Sequence, residues 1–155
     1  QLCELYTKVY DLPTAICRFY NVYGEHQLED GAYATVVGIF EKQHREGKSL
    51  TITGNGEQRR DFTHIDDIVD GLVRCGFNLF GDNPISSGKA YELGRGLNFS
   101  INEIADMLGK DYPREYIPAR KGEYPFTLAD YTKAKEELGW NPTLNIKDYI
   151  TKIIK

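Results

Sequence analysis

Apolar positions along this chain switch between a helical and an extended period. Leu2, Leu5, Tyr6 and Val9 fall at i, i+3, i+4 and i+7, so the sequence opens inside a helical pattern that Asp11-Leu12-Pro13 breaks. Thr14 to Phe19 is a short apolar run and predicts a strand buried on both faces. The stretch NVYGEHQLEDGAY then reads as a loop. A helix is predicted from Ala34 to Arg45, with Val36, Val37 and Phe40 on one face and Gly47 stopping it. Ser49 to Thr53 is rich in β-formers, Asn55-Gly56 signals a tight turn, and Arg59 to Ile65 is extended again. Asp66 or Asp67 is expected to cap the next helix, in which Ile68, Val69, Leu72, Val73 and Phe77 keep helical spacing.

The second half continues the alternation. GDNPISSG reads as a loop and Ala90 to Leu93 as a short strand. Ser100-Ile101-Asn102-Glu103 is a capping box, in which the Ser and Glu side chains each satisfy an end donor of the helix. Ile101, Ile104, Ala105 and Leu108 form that helix's buried stripe. Arg114 to Ile117 is extended, and Asp130 is expected to open a short helix that ends at Gly139 with Pro142 beyond. Ile146, Tyr149, Ile150 and Ile153 make a last amphipathic helix. Strands alternating with helices indicate an α/β domain.

Composition narrows the function. A chain of 155 residues is enough for one domain. Its 19 basic and 23 acidic residues give a net charge of −4, which argues against nucleic-acid binding and leaves room only for a local basic pocket. No apolar run approaches the ~20 residues that span a membrane. Cys3, Cys17 and Cys75 match no metal spacing and lie in apolar segments, so they read as buried reduced thiols suited to a cytoplasmic setting. His26, His44 and His64 also lack ligand spacing, and no metal is expected.

Three stretches carry candidate chemistry. In RRDF, an arginine fork matches phosphate or carboxylate. If 59–65 is extended, Arg60 shares a face with Phe62 and His64, so a strand places it. The alternative is that Arg59 and Arg60 are solvated or pair with Asp61 and Asp66. PARKGE, Pro118 to Glu123, holds a second basic pair between turn residues, or is simply an exposed loop. RFYNVYG, Arg18 to Gly24, leaves a strand at its C-terminal end, the edge where open α/β sheets bind ligands, or is a turn with packed aromatics. ELGRGLNFS imitates a dinucleotide fingerprint but has Phe99 where the third Gly belongs. A turn leading into a capped helix accounts for it.

Taken in order, RFYNVYG, TGNGEQRRDFTHIDDIVDGL, YELGRG, SINEIA, PARKGE and LADYTKAKEELGWNP resemble the extended short-chain dehydrogenase/reductases. Within them the likeness is to the NAD-dependent nucleotide-sugar epimerases and dehydratases, of the UDP-glucose 4-epimerase type. It runs over essentially the whole chain. It implies the C-terminal part of a Rossmann-type protein. That part is mostly the smaller substrate-binding domain, with a helix and a strand of the parallel sheet. Family members start with a glycine-rich NAD-binding turn and a later Tyr-x-x-x-Lys pair, whose helix runs on into QLCELYTKVYDLP. The resemblance therefore implies that residues 1–155 follow the catalytic lysine, that no catalytic residue lies here, and that NAD is held mainly by an upstream half. A trimmed or processed terminus is the other explanation for a first residue of Gln1.

The resemblance also assigns roles. Arg60 and Arg120 stand where the family binds the substrate diphosphate, and Glu123 where an acid contacts the ribose. Asn21 matches a residue that holds the phosphate or sugar, and Phe19 and Tyr20 lie near the nicotinamide. Thr51 and Thr53 line the base; many relatives have an aromatic residue at the place of Thr53. Arg59 is expected to be a surface neighbour. The implied reaction is inversion at C4 of a nucleotide sugar, by a homodimer in the cytoplasm. The alternatives are a sugar 4,6-dehydratase and a nucleotide-sugar-binding module without catalysis.

Overall fold

Parallel strand pairing sets the architecture. The computed structural model describes residues 1–80 and 84–154. Strand β1 (Ala15–Phe19) pairs in parallel with β5 (Lys89–Leu93), Ala15 opposite Lys89 and Phe19 opposite Leu93. Strand β2 (Asn21–Tyr23) runs parallel to β4 (Arg59–His64), and β6 (Asn98–Ser100) closes the other side of β4 antiparallel. Strand β3 (Leu50–Thr53) runs parallel to β7 (Arg114–Ile117). Parallel pairs need crossovers. The crossovers contain α2 (Val36–Arg45), α3 (Ile65–Phe77) and α4 (Ile101–Leu108), while α1 (Leu2–Tyr10) precedes β1, and α5 (Thr132–Leu138) and α6 (Ile146–Ile153) follow β7. The class is α/β, as the alternation predicts.

Two apolar clusters hold these elements. The larger joins Tyr23, Phe40, Leu50, Ile52, Phe62, Ile104, Tyr149 and Ile150, with α2, α4 and α6 closing over β3 and β4. The smaller joins Ile68, Cys75, Tyr91, Leu93, Leu138 and Trp140 between α3, β5 and α5. Each fully buried side chain of this kind contributes about 1.5–3 kcal/mol relative to exposure. The capping box forms as read: Glu103 N–H donates to Ser100 Oγ at 3.0 Å, and Ser100 N–H to Glu103 Oε2 at 2.7 Å.

Several sequence expectations are corrected. Asn21 to Tyr23, read as loop, is a strand, because its backbone completes the ladder of β4. Residues 98–100, read as turn, form β6 for the same reason. The cap of α3 is His64, whose Nδ1 accepts from Asp66 N–H at 3.2 Å. The helix α5 starts at Thr132, while Asp130 accepts from Thr132 N–H in the preceding turn. The α3 stripe is displaced as well. Ile68, Gly71 and Cys75 face the core, whereas Val69, Leu72, Val73 and Phe77 are exposed. Strand β1 is only partly buried, with Phe19 exposed at its end, and Cys3 is exposed while Cys75 is buried. Of the GDNPISSG loop, residues 81–83 lie outside the described residues. The rest forms turns, Ser86 N–H donating to Asn78 O and Gly88 N–H to Thr14 O.

Two buried aspartates pin the loops. Asp61 accepts from the backbone N–H groups of Arg95 and Gly96 at 2.9 Å and of Ala129 at 3.0 Å. The GRG turn thus spends its amides on a carboxylate of its own chain. Gly94 permits this approach: a Cβ there would sit 2.3 Å from Ala129 Cβ. Asp67 accepts from Thr143 N–H at 3.1 Å and Leu144 N–H at 3.0 Å, and its carbonyl accepts from Trp140 Nε1 at 2.8 Å. Both carboxylates satisfy donors that burial would otherwise leave unpaired.

Candidate nucleotide-sugar site

Strand alternation prepares one wall of a cleft. Along β3, Leu50 and Ile52 point into the core, so Thr51 and Thr53 point the other way. They line a cleft of about 500 Å³ together with Ile117 of the neighbouring β7. Helix α2 supplies Val36, Ile39 and Gln43. Asn21, at the start of β2, and Arg60, near the start of β4, lie on adjacent strands and form the floor. The turn after β7 brings Arg120 and Glu123. All six residues expected to hold a nucleotide sugar (Asn21, Thr51, Thr53, Arg60, Arg120 and Glu123) border this one cleft.

Arg60 is placed by its strand, and its side chain is only 14% exposed. Its Nη1 donates to Arg59 O at 2.8 Å and its Nη2 to Glu123 Oε1 at 3.2 Å. A guanidinium has five donors, so three remain without a partner among the described residues. Arg120 is exposed on the same cleft. The lining charges are therefore two arginines against Glu123, a local positive site in a chain of net charge −4. Such a pair of forks suits a diphosphate. The cleft's apolar patches, Val36, Ile39 and Ile117, suit the flat face of a base.

Arg59 does more than neighbour the site. Its Nε donates to Asn98 Oδ1 at 2.8 Å and its Nη2 to Asn98 O at 3.0 Å, and Nη2 lies 2.9 Å from Glu103 Oε2. It ties β4, β6 and the start of α4 together from a side chain that is 39% exposed, a surface neighbour of the cleft that also braces the fold. The Asp61 and Asp66 pairing alternative fails, because Asp61 is fully buried on backbone amides. Residues missed in the sequence include Gln43 and Gln58, which also line the cleft. Gln43 carried a signal: it stands at the i+7 place of the Val36, Ile39, Phe40 stripe, a polar residue where an apolar one belongs.

Phe19 and Tyr20 lie apart from this cleft, at the end of β1. Tyr20 Oη donates to Glu92 Oε2 at 3.1 Å. Burial first, and then Glu92, push its phenol above the ordinary value, so it stays protonated at neutral pH. The described residues do not by themselves fit NAD. The glycine turn at 94–96 directs its Arg95 and Gly96 amides into Asp61, so they offer no cradle to a pyrophosphate. Cys17 and Cys75 approach to 3.2 Å between sulfurs. Their contact lowers the Cys17 thiol and raises that of the buried Cys75. No helix among the described residues is long and apolar enough to cross a membrane.

Known proteins are similar to this chain in sequence and fold. The family model described as GDP-mannose 4,6 dehydratase matches residues 1–153. UDP-glucose 4-epimerase of Mycolicibacterium smegmatis is 33% identical over 156 residues, covering 98% of this chain and 48% of that protein. The structure of Pal from Bacillus thuringiensis superposes with a TM-score of 0.89 at 28% identity, over 99% of this chain and 48% of that one. UDP-glucuronic acid 4-epimerase from Bacillus cereus, solved with UDP-glucuronic acid and NAD, gives a TM-score of 0.83 at 34% identity, over 97% of this chain and 46% of that one. The chain spans about half the length of the curated relatives it matches. With a family model matched almost end to end and a Rossmann-type fold shared with these structures, the chain belongs to the GDP-mannose 4,6 dehydratase family of NAD-dependent nucleotide-sugar epimerases and dehydratases.

Proposed function

We propose that residues 1–155 are the C-terminal, substrate-binding portion of a nucleotide-sugar 4-epimerase. The observation that carries this reading is the convergence of Asn21, Thr51, Thr53, Arg60, Arg120 and Glu123 on one cleft. Arg60 and Arg120 hold the diphosphate, Glu123 the ribose, Thr51 and Thr53 the base, and Asn21 the phosphate or sugar. Phe19 and Tyr20 border the nicotinamide of an NAD bound mainly by polypeptide preceding Gln1, which also supplies the reacting groups. The working protein is a homodimer in a cytoplasmic setting, the latter in keeping with three free thiols. The 4-epimerase reaction is favoured by the two 4-epimerases among the similar proteins described above.

The test is calorimetric affinity for a UDP-sugar and for uridine in the complete natural polypeptide. A charge-assisted hydrogen bond contributes about 1.5–3 kcal/mol. Arg60→Ala is therefore expected to weaken UDP-sugar binding about tenfold to a hundredfold and uridine binding far less. Arg60→Lys is expected not to restore it, because lysine lacks the fork. Equal affinity of Arg60→Ala and the natural protein would sink the diphosphate reading. A 4,6-dehydratase is the second reading, favoured by the description of the matching family model. Product analysis separates them: a 4-keto-6-deoxy sugar replaces the C4 epimer. A binding module without catalysis yields neither.

A further inference from the structure

Cys17 and Cys75 meet across the contact between β1 and α3, their sulfurs 3.2 Å apart although the residues are 58 positions apart in sequence. Each is held by its own backbone. Cys17 sits in the parallel ladder opposite Tyr91. Cys75 lies in the last turn of α3, and its carbonyl accepts from Ser86 Oγ at 2.9 Å. Two thiols fixed this way face each other at high effective concentration. A further approach of about 1 Å brings them to the length of an S–S bond. The two ends differ. Cys17 is half-buried, whereas Cys75 is buried in the cluster of Ile68, Tyr91, Leu93 and Trp140. When Cys17 loses its proton, the Cys75 thiol donates to the thiolate, which lowers the Cys17 pKa and raises that of Cys75. The thiolate is the nucleophile, so Cys17 is the attacking end. Cys3 is exposed on α1, away from this pair.

From this arrangement we propose that Cys17 and Cys75 are a site of reversible oxidative modification, a dithiol that a hydroperoxide converts to a disulfide stapling β1 to α3. The Cys17 thiolate attacks one peroxide oxygen and the O–O bond breaks. Cys17 becomes a sulfenic acid, and the leaving hydroxide takes up the proton Cys17 gave up, forming water. The Cys75 sulfur then attacks the Cys17 sulfur. The S–S bond forms, the S–O bond breaks, and the departing hydroxide leaves with the Cys75 proton as a second water. Two thiols lose two electrons and two protons, and one peroxide is reduced to two waters. The pairing protects the core. A disulfide keeps both sulfurs apolar beside Leu93 and Trp140, whereas oxidation onward to a sulfinic acid would bury a charge there. Neither cysteine lines the cleft, so the proposal stands independently of the nucleotide-sugar reading.

The test treats the complete natural polypeptide, folded and reduced, with hydrogen peroxide, then quenches with acid, alkylates and reads tryptic peptides by mass spectrometry. Cleavage after Lys8, Arg18, Arg74 and Lys89 puts the two thiols on peptides 9–18 and 75–89. These are expected as one linked species that dithiothreitol separates again, with Cys3 outside the linkage. Protein unfolded in urea is expected to link more slowly and to scatter its pairings among the three thiols. In Cys75→Ser the reaction is expected to stop at a Cys17 sulfenic acid, which dimedone captures. Cys17→Ser is expected to slow oxidation of Cys75 about tenfold or more, because a buried thiol is left without its reactive neighbour. Conversion of Cys17 to a sulfinic acid in the natural protein, without the linkage, overturns the proposal. So does a linkage that includes Cys3, or one that forms no faster in the folded protein than in urea. Both thiols still reduced after free cysteine in the same solution is fully oxidised overturns it as well.

Discussion

Phe40 and Phe19 are the same residue on regular elements, yet Phe40 is fully buried and Phe19 is 48% exposed. Around Phe40, the helices α2, α4 and α6 close over β3 and β4. Around Phe19, among the described residues, the strand β1 has one partner, α1 buries no residue, and α3 turns Val69, Leu72, Val73 and Phe77 outward. On the cleft side this chain's own helices close the core; among the described residues the β1 side presents apolar faces without a cover. Under the proposed reading, polypeptide preceding Gln1 covers them. The difference teaches that periodicity announces a face that requires burial, but not which chain segment buries it.

The largest expected effect tests that contrast directly. Phe40→Ala should destabilise the chain by about 3–5 kcal/mol, the range for emptying a packed aromatic site. Phe19→Ala in the isolated chain should cost less than about 0.5 kcal/mol. Urea titration measures both, and comparable losses would break the comparison. Arg59→Ala comes next and sharpens it from within the cleft side. Loss of the Asn98 and Glu103 contacts should cost about 1–2 kcal/mol of stability. Affinity for UDP should stay within about twofold, because Arg59 points to β6 and α4 and not into the cleft. A large loss of affinity with unchanged stability would show that the two arginines have exchanged roles.

Much of this was legible in the sequence where local chemistry decides the outcome. The Ser100 capping box, the strand carrying Arg60 and the helix expected from Ala34, which starts two residues later at Val36, are local features that their own residues place. Strands β2 and β6 were not legible. Three residues carry too little pattern, and both exist because β4 offers them a ladder. The cap of α3 is not legible because two aspartates lie within three residues of His64, and one of them, Asp67, is drawn away to the Thr143 loop. The cleft residues were legible by resemblance alone. Spacing said only that Arg60 would be held by a strand; that Arg120, some sixty positions on, meets the same cavity is a property of the parallel β3 and β7 pair.

The Asp61 clamp has a consequence for how the chain reaches this structure. Its three amide partners lie 34, 35 and 68 positions away along the sequence. None of these closures lies within one helix or hairpin, and distant contacts are slow to meet. The clamp therefore belongs to the last stage of folding, after β4 and β5 have found their partners. Asp61→Asn should then speed unfolding and leave the refolding rate almost untouched, a split that stopped-flow fluorescence reads from Trp140, and a slowed refolding limb would instead put the clamp in the nucleus. A carboxylate that looks like a static brace is, on this account, a latch that sets how long the folded chain lasts.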